Sequence, residues 1–314
     1  MRECITAVEE AFRELSLGSA ILPHRVGLTV PIEDGWLGVM PAFLAKARSL
    51  TTKIVTVYPY NLKSHGIPNV LATVVLNDVE TGRVEAIMDG TQITAMRTGA
   101  VSGVATKYLA RTDARRVGLF GAGVQARKQL QAIQEVRRIE SMMVYDTDKE
   151  LAKVLALQAS AKGDVQASAE NNPDTVVENS DIIATATTSP TPVFNGHLLR
   201  PGTHINAIGA FTPSTREVDT AAVSTSKIVV DSIEAALEEA GDILIPLREG
   251  AIRREDIRAE LGEIVTGKKE GRSSENDRTL FKSVGLGIQD AAVARLVFQK
   301  AKQLGVGMEL DLGE

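Results

Sequence analysis

The stretch RVGLFGAGVQA, residues 116–126, joins a short apolar run to a hexamer of the form G-x-G-x-x-A. In such a hexamer Gly121 permits a tight turn, Gly123 lets the backbone approach a pyrophosphate, and Ala126 lets a helix pack closely on a strand. Residues 127–136 continue with helical periodicity, and the N-terminus of that helix would offer free N–H groups to phosphate. The hexamer alone is weak evidence, but its place between a strand and a helix predicts a dinucleotide site.

A second apolar run, residues 141–145, ends at Asp146, which lies 23 residues after Gly123. An acid at this place hydrogen-bonds both ribose hydroxyls of NAD and repels the 2′-phosphate of NADP. The plainer interpretation is an aspartate that caps the next helix, a role that Asp148 could take instead. No arginine follows Asp146 directly, so the sequence favours NAD and leaves NADP possible.

Around this stretch the apolar periodicity changes twice along the chain. After residue 116 strands alternate with helices, which predicts a doubly wound parallel sheet. The predicted strands are 117–120, 141–145, 182–185, 204–207 and 228–230, and the predicted helices are 124–137 and 148–162. Before residue 116, helices are predicted at 4–15 and 91–110. Between these two helices the sequence pattern is strand-like at 25–30, 36–40, 52–58, 70–76 and 84–88.

After residue 284 comes one amphipathic helix, whose apolar stripe holds Val293, Leu296, Val297, Ala301 and Leu304. We expect this helix to leave the parallel sheet and to pack on the N-terminal part of the chain. The fold class is therefore α/β, with a Rossmann doubly wound sheet beside an α+β domain. The predicted domains are residues 1–112 completed by 284–314, for substrate and dimerisation, and residues 113–283, for NAD(P).

Composition excludes several other classes of protein. The 314 residues are 44% hydrophobic and carry 40 acidic against 35 basic side chains, a net charge of −5, which disfavours nucleic acid as a partner. The single cysteine, Cys4, suits a reducing cytosol. No apolar run approaches the length of a membrane span. None of the four histidines (His24, His65, His197, His204) is paired at metal-ligand spacing, so no metal is expected. These features favour a cytoplasmic enzyme.

Three cations of the N-terminal half stand out. Lys53 alternates with Val55 and Val57 on one strand face, where the plainer interpretation is a lysine at a sheet edge that reaches solvent. Arg97 lies on the apolar face of its helix, where it forms a structural ion pair or binds an anion such as a carboxylate. Arg25 lies where the predicted loop of residues 22–25 meets the strand-like run 25–30, and most arginines of such loops are merely solvated.

Several segments, read together, carry a resemblance to a known family. They are 88–90 with 96–100, the hexamer 121–126, Ile205–Ala210, and Ser283-Val284-Gly285 followed by Ile288-Gln289-Asp290. In these segments the chain resembles the ornithine cyclodeaminase/mu-crystallin family over nearly its whole length. That family also includes an archaeal alanine dehydrogenase and reductases of cyclic ketimines such as Δ1-pyrroline-2-carboxylate.

The resemblance implies a homodimer and assigns roles to individual residues. It implies that Arg25, Lys53 and Arg97 clamp a substrate carboxylate, that Arg97 also approaches the cofactor, and that Val284 lies near the substrate. The cofactor contacts that it implies, beside Gly121 and Gly123, are Val124, Gln125, Asp146, Thr187, Ile208, Gly209, Ala210, Phe211 and Ser283.

Two departures from the family pattern bear on the substrate. Ornithine cyclodeaminases have an acid/base aspartate where this chain has Phe211, and the alanine dehydrogenase relative has an aspartate there too. The cyclodeaminases also have a glutamate for the distal amine where this chain has Gly38. Without these acids, deamination of a diamino acid is not expected, and alanine dehydrogenation is in doubt.

The resulting hypothesis is an NAD(P)H-dependent reductase of small cyclic imino acids, Δ1-pyrroline-2-carboxylate or Δ1-piperideine-2-carboxylate. Lys53 would complete the clamp and deliver or relay the proton to nitrogen, and Phe211 would form an apolar wall for the ring. The alternatives are an alanine-type amino-acid dehydrogenase, an ornithine cyclodeaminase, and a non-catalytic mu-crystallin-like protein that binds a dinucleotide and a carboxylate ligand.

Overall fold

The computed structural model describes residues 1–161 and 165–311, and the chain divides into two compact units. One unit comprises Met1–Arg2 and Thr98–Gly285, and the other comprises Glu3–Arg97 and the chain from Leu286 on. Residue 162 of the predicted helix 148–162, and residues 312–314 of the predicted first domain, lie outside the described residues.

The first unit along the chain is built on a six-stranded antiparallel sheet. In it β3 pairs with β4, β4 with β5 and β5 with β6, while β1 and β2 both pair with β3. The strands are β1 (Ala20–Ile21), β2 (Val26–Val30), β3 (Gly35–Leu44), β4 (Ser49–Val57), β5 (Val70–Asn77) and β6 (Val84–Asp89). The helices of this part are α1 (Arg2–Ser16) and α2 (Asn61–His65), and a 3-10 turn covers Pro31–Glu33. Helix α3 (Gly90–Leu109) has its residues up to Arg97 in this unit and those from Thr98 on in the other.

The second unit is built on an eight-stranded parallel sheet with the order β13-β12-β14-β11-β10-β7-β8-β9. Its strands are β7 (Arg116–Phe120), β8 (Ser141–Tyr145), β9 (Gln166–Ala169), β10 (Ile182–Thr185), β11 (His204–Ala207), β12 (Lys227–Val230), β13 (Ile257–Glu260) and β14 (Thr279–Lys282). Its helices are α4 (Val124–Val136), α5 (Lys149–Ser160), α6 (Pro173–Glu178), α7 (Thr220–Ser224), α8 (Ile233–Glu239), α9 (Gly241–Arg248) and α10 (Leu261–Val265), with 3-10 turns at Gly196–Leu198 and Arg254–Asp256.

The strand order of the parallel sheet fixes where a ligand binds. Counting from β7, the strands run 3-2-1-4-5 across β9, β8, β7, β10 and β11, which is the order of a Rossmann fold. The order reverses between β7 and β10, and in such sheets ligands bind beyond the carboxyl ends of the strands at that point. The predicted α/β fold class with a doubly wound parallel sheet is confirmed.

The C-terminal helix α11 (Gly287–Leu304) packs on β3, β4 and β5 of the antiparallel sheet. It covers one face of that sheet, because Ser49 donates a hydrogen bond to the Ala291 carbonyl and Gly287 lies against Pro41. The predicted departure of this helix from the parallel sheet is therefore found. Side chains of α11 contact residues of β4 that point to the face covered by the helix, as Asp290 does with Lys53.

His204 begins β11, as predicted from the sequence, and it is fully buried there. Its Nδ1 lies 3.0 Å from Thr279 Oγ1 and its Nε2 lies 3.2 Å from Asn206 Oδ1. Burial lowers the pKa of His204 to about 3, with Arg272 adding to the shift. This histidine is a neutral member of a buried hydrogen-bond network.

Candidate active site

The glycine turn after β7 has the shape of a phosphate cradle. Gly121 has φ +99°, and a Cβ there would lie 2.5 Å from the Ala186 carbonyl oxygen, so only glycine fits without strain. Gly123 is the N-cap residue of α4, and a Cβ built on it would meet no atom within 4 Å. The space beside Gly123 and the free N–H groups of α4 together fit the pyrophosphate of a dinucleotide.

Asp146 follows β8 and holds this turn in place. Its Oδ2 accepts a hydrogen bond of 2.7 Å from Ala122 N, and its Oδ1 accepts one of 2.8 Å from Asp148 N. The side chain of Asp148 caps α5 by accepting from Glu150 N and Leu151 N. The interpretation of Asp146 as the helix cap is thus wrong, since Asp148 has that role. A carboxylate accepts up to about four hydrogen bonds, so Asp146 retains capacity for ribose hydroxyls.

The loops after β10 and β11 are joined by one buried carboxylate, Glu217. Its Oε1 accepts from Thr187 N at 2.6 Å, and its Oε2 accepts from Gly209 N at 2.6 Å and from Thr185 Oγ1 at 2.8 Å. These loops contain the predicted cofactor contacts Thr187 and Ile208 to Phe211. The structure therefore brings Thr187 and Gly209 together through a residue that sequence reasoning missed.

Glu217 belongs to a buried charged cluster with Asp242 and Lys282. Lys282 Nζ lies 2.8 Å from Asp242 Oδ2 and donates to the Ala210 carbonyl, while Asp242 Oδ1 accepts from Glu217 N at 2.7 Å. Burial, and next the nearby Asp242, raise the pKa of Glu217, which Lys282 opposes. The cluster fixes the backbone of the Gly209–Ala210 turn. The available signal in the sequence was Lys282, a lysine that directly follows Leu280 and Phe281 in a short strand.

Asp231 orders the turn that contains Ser283 and Val284. Its Oδ2 accepts from Ser283 Oγ at 2.7 Å, from Val284 N at 2.9 Å and from Gly285 N at 2.8 Å. Of the remaining predicted cofactor residues, Val124 is exposed on the first turn of α4, and Gln125 Oε1 is buried without a hydrogen-bond partner among the described residues. Phe211 is part-exposed, with 38% of its surface open.

In the other unit, Lys53 and Arg97 meet on one acid of α11. Lys53 Nζ lies 2.6 Å from Asp290 Oδ2, and Arg97 Nε lies 3.3 Å from Asp290 Oδ1. Arg97 also donates a hydrogen bond of 2.8 Å to Gln289 Oε1. Lys53 is only 1% exposed, so the interpretation of a solvated lysine at the sheet edge is wrong: β4 lies between β3 and β5, and Asp290 neutralises the buried ammonium.

This cluster carries more positive than negative charge. Arg97 and Arg25 both act on Lys53 as like charges, and Asp290 acts as the opposing one. Burial is the largest cause that lowers the pKa of Lys53 to about 8, while Asp290 raises that pKa. Arg97 Nε and Gln289 Nε2 are buried and have no hydrogen-bond partner among the described residues. An anionic ligand would reduce the excess charge and accept from these cations.

Asp290 and Gln289 carry the site although their roles were not predicted. Both stood within the family motif Ile288-Gln289-Asp290, and a pair of polar residues in the first turn of an apolar helix was the available signal.

Among residues 1–161 and 165–311, no three histidine, cysteine or acidic side chains lie close enough to hold a metal ion. In the same residues no helix is both long and apolar enough to cross a membrane.

A parallel sheet in Rossmann order, a glycine cradle and an acid after the second strand define a dinucleotide-binding protein of the oxidoreductase type. The family model of the ornithine cyclodeaminase/mu-crystallin family matches residues 1–305. The chain belongs to this family.

Three known proteins illustrate the similarity. The Δ(1)-pyrroline-2-carboxylate reductase of Bacillus cereus (strain ZK / E33L) is 40% identical over 99% of this chain and 95% of its own. A solved structure of the Thermococcus litoralis Δ(1)-pyrroline-2-carboxylate reductase, in complex with NADH and L-proline, is 48% identical with a TM-score of 0.96, covering 99% of this chain and 96% of that one. The structure of an archaeal alanine dehydrogenase dimer with bound NAD is 39% identical with a TM-score of 0.94, covering 99% and 95%.

Proposed function

We propose that this chain is an NAD(P)H-dependent reductase of small cyclic imino acids. Its substrate is Δ1-pyrroline-2-carboxylate, or the six-membered Δ1-piperideine-2-carboxylate, and its product is proline or pipecolate. This proposal depends on the buried cluster of Lys53, Arg97 and Asp290. In this cluster positive charge exceeds negative charge, and one of the cations is a lysine that can donate a proton. The similarity to pyrroline-2-carboxylate reductases over nearly the whole chain supports it.

Each reactant has its own group of residues. Gly121, Gly123, Asp146 and the Glu217-linked loops would hold the dinucleotide, which when bound supplies the hydride that reduces the imine carbon. Arg25 and Arg97 would bind the substrate carboxylate, because a guanidinium matches the two oxygens of a carboxylate. Phe211 and Val284 remain predicted contacts of the substrate. Orientation of the imine by its carboxylate then lowers the entropic cost of reaction.

Lys53 would supply the proton to the imine nitrogen. A general acid works best when its pKa is close to the working pH, and the pKa of Lys53 lies at about 8 rather than at the usual value near 10.5. Asp290 keeps this lysine in place through the contact of 2.6 Å. Phe211 and Gly38 supply no carboxylate, so the lysine is the proton donor that the described clamp offers.

The test is a comparison of initial rates of NADH and NADPH oxidation with three substrate sets. We expect rapid turnover of Δ1-pyrroline-2-carboxylate and of its six-membered homologue, with NADH preferred. Strong ammonia-dependent reduction of pyruvate would instead assign an alanine-type dehydrogenase, and NAD reduction by L-ornithine would assign a cyclodeaminase. Tight cofactor binding with no turnover of any substrate would assign a non-catalytic binding protein.

We also propose that the chain forms a homodimer in the cytoplasm. The face of the antiparallel sheet opposite Lys53 exposes large apolar side chains, among them Val26, Leu28, Ile54 and Ile87. A patch of exposed apolar side chains is typical of a protein interface. The similar archaeal alanine dehydrogenase is a dimer. Light scattering at micromolar concentration checks this, and a monomer would contradict it.

A further inference from the structure

Trp36 covers two glycines of the antiparallel sheet. A Cβ built on Gly38 would lie 2.7 Å from Trp36 Cζ3, and one built on Gly27 would lie 2.9 Å from Trp36 Nε1. Gly27 and Gly38 are directly paired between β2 and β3. The indole therefore occupies the space over a patch of bare backbone, where any side chain at residue 38 would displace it.

The indole lies on the same face of the sheet as Lys53. Met40 pairs with Lys53, and Gly38 pairs with Val55, in the register of β3 and β4. Residues two apart on a strand share a face, and residues directly opposite on neighbouring strands do so too. Trp36, Gly38, Met40 and Lys53 consequently share one face, and on that face the pair Gly38–Val55 is next to the pair Met40–Lys53.

An aromatic ring over a glycine also stabilises a sheet, and the chain contains a matched example of that simpler role. A Cβ built on Gly35 would lie 2.6 Å from Tyr58 Cε1. Gly35 precedes Trp36, so its side-chain direction is toward the opposite face of the sheet, away from Lys53. Tyr58 thus covers a glycine outside the cation cluster, whereas Trp36 covers one beside it.

We propose that Trp36 is the platform on which the ring of the substrate lies, and that it determines specificity for cyclic over open-chain imino acids. This inference rests on the proposed function. With the carboxylate held by the cations, the ring carbons of a cyclic imino acid extend over the indole, whose π face attracts C–H groups. The methyl group of an open-chain imine leaves most of the indole uncovered, so it gains less from this contact.

Trp36 is the single tryptophan of the sequence, so its fluorescence reports on this platform alone. We expect L-proline and pyrrole-2-carboxylate, added to the full-length protein with NAD⁺, to change the tryptophan emission saturably, and L-alanine to change it less. Calorimetry on the same samples measures binding independently. Binding of L-proline without any change in Trp36 emission would overturn the inference, even if the protein reduces the cyclic imine. A wild-type protein that neither binds L-proline nor reduces the imine would overturn both proposals.

Variants test the role in specificity. We expect Trp36→Leu and Gly38→Ala, which remove or displace the indole, to lower the ratio of kcat/KM for the pyrroline over pyruvate with ammonia by about fivefold to tenfold. The controls Tyr58→Leu and Gly35→Ala disturb the matched aromatic on the other face and should keep the wild-type ratio. An equal change of the ratio in Tyr58→Leu would show a structural role only and would overturn the inference.

Discussion

Lys53 Nζ lies 2.6 Å from Asp290 Oδ2, and both side chains are 1% exposed. This contact joins the fourth strand of the antiparallel sheet to the first turn of the C-terminal helix, 237 residues later in the chain. A buried ammonium without a partner would lose its proton, because burial disfavours its charged form. Asp290 is therefore the positioning residue that keeps Lys53 both in place and protonated near neutral pH.

The first prediction concerns the pH dependence of this pair. If protonated Lys53 is the general acid, kcat/KM should fall as the pH rises through about 8, the pKa of Lys53 in the free enzyme. Asp290 raises that pKa, so Asp290→Asn should move the fall to lower pH. Initial rates from pH 6 to 9 check this, with Glu80→Gln, which removes the exposed pair with Arg48, as the control. Superimposable profiles for wild type and Asp290→Asn would contradict the assignment.

The second prediction removes the ammonium itself. Lys53→Met keeps an unbranched chain of similar length in the buried position but donates no proton. We expect kcat for the cyclic imine to fall by about 10²-fold or more, the usual contribution of a general acid. L-Proline binding, measured by calorimetry, distinguishes the two roles of Lys53. A variant that has lost only the proton donor still binds L-proline, whereas one that has lost the carboxylate clamp binds it weakly. Normal L-proline binding together with near-wild-type turnover would show that Lys53 is not the acid.

The third prediction separates two glycines of one motif. Gly123→Ala adds a Cβ in open space beside α4, where the pyrophosphate is expected, so it should weaken NADH binding about tenfold or more and change the melting temperature little. Gly121→Ala forces alanine to φ +99° and against the Ala186 carbonyl, which should cost about 1–3 kcal/mol of stability. Calorimetric titration with NADH and thermal melts check the pair. Equal NADH affinity in Gly123→Ala and wild type would place the phosphate elsewhere.

The fourth prediction concerns the choice of coenzyme. Asp146→Asn keeps an oxygen that accepts from Ala122 N, gives up the oxygen that accepts from Asp148 N, and removes the charge that repels a 2′-phosphate. We expect the ratio of kcat/KM for NADPH over NADH to rise about tenfold. Asp148→Asn removes the same charge two residues later while keeping the cap of α5, so it should leave that ratio unchanged. An equal change of this ratio in both variants would contradict the assignment of coenzyme choice to Asp146.

The fold was largely predictable from sequence because it depends on local patterns. The apolar runs at residues 116–120 and 141–145 and the glycine turn between them are contiguous, and the structure has β7, β8 and the turn there. The strands β9, β13 and β14 were not predicted. Each is four residues long, as the predicted strands β10, β11 and β12 are, and each is defined only by its neighbours in the sheet.

The candidate site was predictable only in part. The cations Lys53 and Arg97 attract notice because a charge in an apolar pattern needs a partner. The identity of that partner depends on tertiary contacts, and Asp290 follows Lys53 by 237 residues. Glu217 was missed for the same reason, since nothing near it in the sequence shows that two loop amides would converge on its carboxylate.

The last prediction concerns the stability of the parallel sheet. The pKa of His204 is about 3 in the folded protein, because of burial, whereas an unfolded histidine titrates near 6.5. Between these values the unfolded chain binds one more proton than the folded chain, so the free energy of unfolding should fall with decreasing pH by about 1.4 kcal/mol per pH unit. From pH 6.5 to 5 this amounts to about 2 kcal/mol.

Two variants test this prediction. His204→Gln keeps an amide for Thr279 and Asn206 and removes the titration, so it should flatten this part of the stability profile. His197→Gln, at an exposed position, should not. Urea unfolding at several pH values measures the slopes, and an equally steep slope in His204→Gln would mean that other groups bind the proton.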